Sequence, residues 1–152
     1  MDTVTYPNPG VERILAEHVV PVRLNTVESD PDTREAVRRA RAVWTPTLLF
    51  FDHHGIEVRR EVGSLGPDHF VAVVGLALGQ AQLLHGEFDR ALDSFDRVAQ
   101  MPDPHTAAEG LYWAGVAGLR QQRRDLFTAR WTALSERFPD STWWERASFI
   151  QR

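Results

Sequence analysis

With no cysteine in 152 residues, the side chains to weigh first for chemistry are the histidines, serines and carboxylates. The lack of cysteine removes disulfides, a thiolate nucleophile, thiolate-held iron–sulfur clusters and cysteine-based zinc sites. The six histidines are His18, His53, His54, His69, His85 and His105, and none has the spacing of a zincin or another metal motif. His53 and His54 share one turn without an obvious third ligand, so they read as an exposed turn. His69, beside Asp68, reads as part of a helix start. Ser29, Ser64, Ser94, Ser135, Ser141 and Ser148 include no Gly-x-Ser-x-Gly elbow. Gly63-Ser64-Leu65-Gly66 is a turn and lacks the Lys-Ser/Thr of a phosphate loop. No catalytic residue, cofactor or metal ligand is assigned. Glu87, Asp89, Asp93 and Asp96 form an acidic helix surface, read as a solvated face before a dock for a basic peptide.

The composition sets the same bounds. Apolar residues make up 43% and charged residues 25%, the balance of a soluble globular chain. The net charge is -4 with the two signs interspersed. The basic groups Arg38, Arg39, Arg41 and Arg120, Arg123, Arg124 lie in helical patterns and read as solvated faces, so nucleic acid is not an expected partner. Met1–Pro9 has no basic or apolar run of a signal peptide. Phe70–Leu84 is too short to span a membrane and contains Gln80 and Gln82. The expectation is a cytoplasmic protein with no membrane partner.

The elements that would position these groups fall into two halves. Met1–Tyr6 and Val19–Leu24 read as strands, the second at an edge because it contains Pro21. A short helix is expected over Gly10–His18. Ser29-Asp30-Pro31 opens a second helix to about Arg41, with Asp30 and Asp32 in capping roles and Ala36, Val37 and Ala40 inward. Thr47–Phe51 and Ile56–Val62 form a hairpin around Asp52-His53-His54-Gly55, with Val58 and Val62 on one face and the charges on the other. From Gly66 onward the period is helical. Five helices are expected over Asp68–His85, Phe88–Gln100, Thr106–Gln121, Leu126–Arg137 and Thr142–Ile150, paired in the manner of a repeat. Of the tryptophans, Trp113, Trp131, Trp143 and Trp144 should fill helix seams, although adjacent Trp143 and Trp144 cannot both point inward.

The segment around Trp44-Thr45-Pro46-Thr47, with the strand Leu48–Phe51, the turn Asp52–Gly55, Glu57-Val58 and Gly63, resembles the C-terminal part of a thioredoxin-like fold. That resemblance implies a cis bond before Pro46. It also makes Trp44, Thr45 and Pro46 the candidate partner-binding residues, since the backbone beside that proline pairs with extended peptides in the family. The family's Cys-x-x-Cys pair and the strand leading to it would lie before Met1. Three replacements for that central strand are open: direct pairing of the flanking strands, insertion of Met1–Tyr6, or a strand from a second subunit. The second half resembles tetratricopeptide repeats. Gly79, Gly86, Phe88, Ala91, Phe95 and Val98 carry the likeness in one unit, and Gly115, Phe127, Trp131, Leu134 and Pro139 in the next. Phe127 departs from the small residue usual at its position, which argues against close helix approach there.

The implied fold class is α/β then all-α: an incomplete or rearranged thioredoxin-like sheet followed by tetratricopeptide-like hairpins. The domains are 1–84 and 68–152, sharing helix 68–85. The implied function is a non-catalytic protein- or peptide-binding or assembly module, expected as a homodimer. The rivals are a truncated thiol–disulfide oxidoreductase with cysteines upstream of Met1, and a purely structural homodimer.

Overall fold

The computed structural model describes residues 1–27 and 30–148. These form seven helices and one two-stranded antiparallel sheet. The helices are α1 (Pro9–His18), α2 (Pro31–Arg39), α3 (Pro67–Leu84), α4 (Phe88–Ala99), α5 (Pro104–Arg120), α6 (Arg124–Arg137) and α7 (Thr142–Ser148). Between α2 and α3 lie the strands β1 (Thr47–Phe51) and β2 (Glu57–Val62). No described helix is long and apolar enough to cross a membrane. Ser29 and the expected last turn of α7, to Ile150, lie outside the described residues.

Helix α3 organises the molecule. It is apolar on nearly every side, the pattern of a helix packed all round, and buries Phe70, Ala72, Val73, Val74, Leu76, Ala77 and Leu83. Phe70 and Val74 meet Val11 of α1, with Leu48 and Phe50 of β1 and Ile14 and Leu15 of α1 around them. Further along, Ala72, Leu76 and Leu83 pack with Ala91, Leu92, Phe95 and Val98 of α4 and with Ala114 and Ala117 of α5. One helix thus belongs to both halves of the chain. A second cluster joins α5, α6 and α7 through Leu111, Trp131, Leu134 and Trp143. Trp143 is the buried member of the tryptophan pair, and Trp144 is only partly covered.

The two helical hairpins share one contact. The faces of Gly79 and Gly115 are so close to the rings of Phe95 and Trp131 that a Cβ at either glycine would strike the ring. The second pair lies thirty-six residues after the first. Close approach also occurs at Phe127, against expectation. There Gly118 supplies the room, since a Cβ on it would stand 3.0 Å from Phe127 N, while the Phe127 ring turns onto Trp131 with centroids 4.4 Å apart.

Proline and aspartate punctuate the helices as the sequence suggests. Asp30 Oδ1 accepts from Thr33 N at 2.8 Å and Asp103 Oδ2 from Thr106 N at 2.9 Å, each followed by proline as the first helical residue. Burial pushes the Asp103 carboxyl up. The N–H and hydroxyl of Thr106, with His69 and His105 adding to them, outweigh burial and hold it below its ordinary value. Its contribution is therefore complete above the unfolded carboxylate value of about 3.9 and disappears as pH falls through the lower folded value. Asp103→Ala is expected to cost about 1 kcal/mol at neutral pH. Urea unfolding should show that gap closing toward pH 3, whereas an Asp103→Asn cap should not be acid-sensitive.

Two expectations from the N-terminal half are corrected. Met1–Tyr6 is a series of turns, not a strand, tied down by the hydrogen bond from Thr5 Oγ1 to Leu65 O at 2.6 Å. Val19–Leu24 carries no strand pairing and runs with Val20 90% and Val22 78% exposed. Helix α2 carries Ala36, Val37 and Ala40 on its more covered side, as expected, each half-buried with no residue of the helix fully buried. The guanidinium of Arg60 in β2 reaches its C-terminal end, donating to Ala40 O at 2.7 Å and Arg41 O at 3.3 Å. In β2 the side chain of Arg59 is only 13% exposed, while Val58 is half-buried and Val62 is 51% exposed.

The burial of Arg59 has its cause in α5. Glu109 is 4% exposed and receives Arg59 through two hydrogen bonds, Nη1 to Oε1 at 2.7 Å and Nη2 to Oε2 at 3.0 Å. Glu61 flanks the same guanidinium at 2.8 Å, and Trp113 Nε1 donates to Glu109 Oε1 at 3.3 Å. Burial opposes the charge of Arg59, but the bonds and charge of Glu109 and Glu61 hold its pKa above the ordinary value. The hairpin is thereby pinned to α5 by a desolvated ion pair.

Candidate functional site: an open strand edge and a histidine turn

The partner-binding candidates Trp44, Thr45 and Pro46 lie where α2 gives way to β1. The Thr45–Pro46 bond is cis. Pro46 O accepts from Gly63 N at 2.9 Å, which closes the open end of the hairpin, and Thr47 Oγ1 donates to Trp44 O at 2.5 Å. Pro46 is half-buried against this framework. Trp44 is 69% exposed and its neighbour Val43 86% exposed. The indole therefore does not serve the core.

β1 is paired on one side only. Thr47 stands opposite Val62, Leu48 opposite Glu61, Leu49 opposite Arg60 and Phe50 opposite Arg59, with an irregularity before Phe51. The Pro46–Gly63 bond sets the alternation, so the N–H and C=O groups of Thr47 and Leu49 point away from β2. Among the described residues no strand meets them. Two of the three replacements for the central strand are therefore not made within the described residues: Met1–Tyr6 does not insert, and Val19–Leu24 does not pair with β1.

At the other end of the hairpin, the turn residues His53 and His54 meet a third histidine, His85, which the sequence reading placed only at a helix end. Gly55, with φ 78, lets the chain reverse. Asp52 Oδ1 accepts from His54 N at 2.9 Å and from Ile56 N at 2.8 Å, which fixes the turn. Its Oδ2 lies 2.8 Å from Nε2 of His85, at the C-terminal cap of α3. Burial pushes the Asp52 carboxyl up. The N–H of Ile56, the His85 ring and the N–H of His54 outweigh this and keep it below its ordinary value. The three imidazole rings have centroids 4.0, 4.8 and 5.3 Å apart, tilted 42–53° to one another. The only sequence hint was the pairing of His85 with the helix end. The thirty-three residues separating it from Asp52 hide the contact.

The acidic surface is largely committed to internal partners. Asp96 takes Arg130 of α6 in a fork at 2.6 and 2.7 Å, Glu87 takes Arg90 at 2.6 Å and Asp89 takes Gln121 at 2.9 Å. The Asp96 and Asp89 pairs tie α4 to α6 and to the end of α5, the Glu87 pair lies within the first turn of α4, and together they remove most of a dock for a basic peptide. His69 Nδ1 lies 4.0 Å from Asp103 Oδ2, in keeping with a role at a helix start.

Compared with family models, with curated proteins and with solved structures, the chain finds no match in any of the three. The class is therefore set by the fold and sites alone: a mostly helical protein with a small antiparallel hairpin at one side.

Proposed function

We propose that the chain is a non-catalytic assembly module that forms a homodimer by strand exchange at the open edge of β1. The observation that carries this reading is the coexistence of an unpaired strand edge and an unpaired strand-competent segment in the same chain. Val20, Val22 and Leu24 alternate along Val19–Leu24 and are all exposed. Each copy holds both the donor and the acceptor, which is the requirement for an isologous, self-closing interface. Trp44 beside the edge supplies the flat aromatic surface that dominates interface energy. An open edge with exposed valines is otherwise an aggregation hazard, and a second copy removes it.

The two resemblances support this reading. A cis Thr45–Pro46 bond, an antiparallel hairpin and then a helix follow the order of the thioredoxin-like C-terminal part. The repeated glycine-on-aromatic contact fits tetratricopeptide-like pairing in α3–α6. The helical half then acts as a rigid support, joined to the hairpin by α3 and by Arg59–Glu109.

Val20→Lys with Val22→Lys tests the reading, because both positions are exposed and the fold does not depend on them. The double variant should be monomeric at concentrations where the parent is dimeric, with unchanged far-ultraviolet circular dichroism. A double variant that dimerises as tightly as the parent would count against strand exchange.

A further inference from the structure

We infer that His53, His54 and His85 form a three-imidazole site for a divalent transition-metal ion of the zinc class, with Asp52 orienting His85. One ring nitrogen from each histidine lies within 4.8 Å of one from each of the others. In a tetrahedral site with zinc–nitrogen bonds of about 2.0–2.1 Å, ligand nitrogens stand roughly 3.4 Å apart. Closure therefore needs at most about 1.4 Å of movement per pair. His53 and His54 are exposed turn residues and can rotate that far.

The surroundings favour a cation. The Asp52 carboxylate is 1% exposed and sits 2.8 Å from His85 Nε2. A carboxylate on one ring nitrogen of a ligating histidine fixes its orientation and raises its basicity. Nδ1 is then the nitrogen left for the ion. His85 also caps the C-terminal end of the eighteen-residue helix α3, where the helix dipole is negative. Asp52 has a second duty, since its other oxygen holds the backbone of the turn that carries His53 and His54. One side chain thus orients the His85 ring and holds the backbone from which the other two rings project.

The donor set selects the ion. Three neutral nitrogens suit zinc, copper or nickel, and calcium and magnesium require oxygen ligands. Three protein ligands leave a fourth tetrahedral position for water or for a group from another molecule. An ion here would clamp the β1–β2 turn to the end of α3, tying the hairpin to the helical half at a point opposite Pro46.

The test uses the full chain without any affinity tag, freed of metal by chelator dialysis and titrated with zinc ion by calorimetry. The expected result is one ion per chain and a thermal midpoint that rises with zinc. Cobalt(II) should give the visible absorption of a tetrahedral nitrogen site. Asp52→Asn should weaken binding by about 10–100-fold, and His53→Ala or His85→Ala by more. His53 lies in an exposed turn, so that variant keeps the test independent of folding. Absence of stoichiometric binding by the parent, or undiminished affinity in His53→Ala, would overturn the assignment.

Discussion

Glu109→Ala should lower the unfolding free energy by about 3–5 kcal/mol. The loss comes less from the attraction than from what is left behind. Arg59 has a side chain only 13% exposed and would keep a buried positive charge with Glu61 as its remaining carboxylate. The Trp113 indole N–H would lose its acceptor as well. A buried pair replaced as a pair behaves differently, because its attraction mostly offsets the cost of drying both ions. Arg59→Met with Glu109→Leu should therefore recover most of the loss. Urea titration of the three variants checks this. A single variant within 1 kcal/mol of the parent, on the order of a surface pair, would mean that water reaches Arg59.

Trp131→Ala is the other large effect, at about 3–5 kcal/mol. Trp131 is buried between α5 and α6 and stacks on Tyr112 with centroids 5.6 Å apart. Its Nε1 donates to Tyr112 O at 3.2 Å, and its ring lies against the face of Gly115. Removing the indole leaves a void that the surrounding helices cannot fully close. The contact with Gly115 makes a sharper test. Gly115→Ala alone drives a methyl into the ring and should destabilise by about 1–3 kcal/mol. In the Trp131→Ala background the same methyl enters open space and should be neutral or stabilising. The double-mutant cycle should thus show strong coupling. Additive effects would contradict the close packing of this hairpin.

Helix limits were legible in the sequence because they depend on local chemistry. Asp30-Pro31 starts a helix whose boundary hardly depends on distant contacts, while α5 begins at Pro104, two residues before the expected Thr106. The β1–β2 hairpin was legible for the same reason, with its turn fixed by Asp52 and Gly55. Val19–Leu24 was misread because β-branched content describes a fit to a pleated neighbour, and the described chain offers that segment no neighbour. The burial of Arg59 was not legible, because alternation alone does not say which face of β2 turns inward. Only Glu109, fifty residues away, makes Arg59 an interior residue. The histidine cluster was half legible: the turn pair stood in the sequence, while His85 joined it only through the packing of α3 beneath the hairpin.

The acidic surface, read from the sequence as a solvated face, is in large part matched within the chain: Glu87, Asp89 and Asp96 each meet a side chain of the chain itself. Exposed apolar side chains lie instead on the other half, at Val20, Val22, Val43 and Trp44, and among the described residues one edge of β1 has no strand partner. Apolar exposure and an open edge together are what a second copy would cover.

The solution mass of the full chain, measured by light scattering across a dilution series, tests the proposed assembly most directly. The account predicts a mass of twice the 17.3 kDa chain, falling to one chain only on strong dilution or with the Val20→Lys, Val22→Lys double substitution. A mass of 17.3 kDa at every concentration would contradict it, and the edge of β1 would then be open in the native protein.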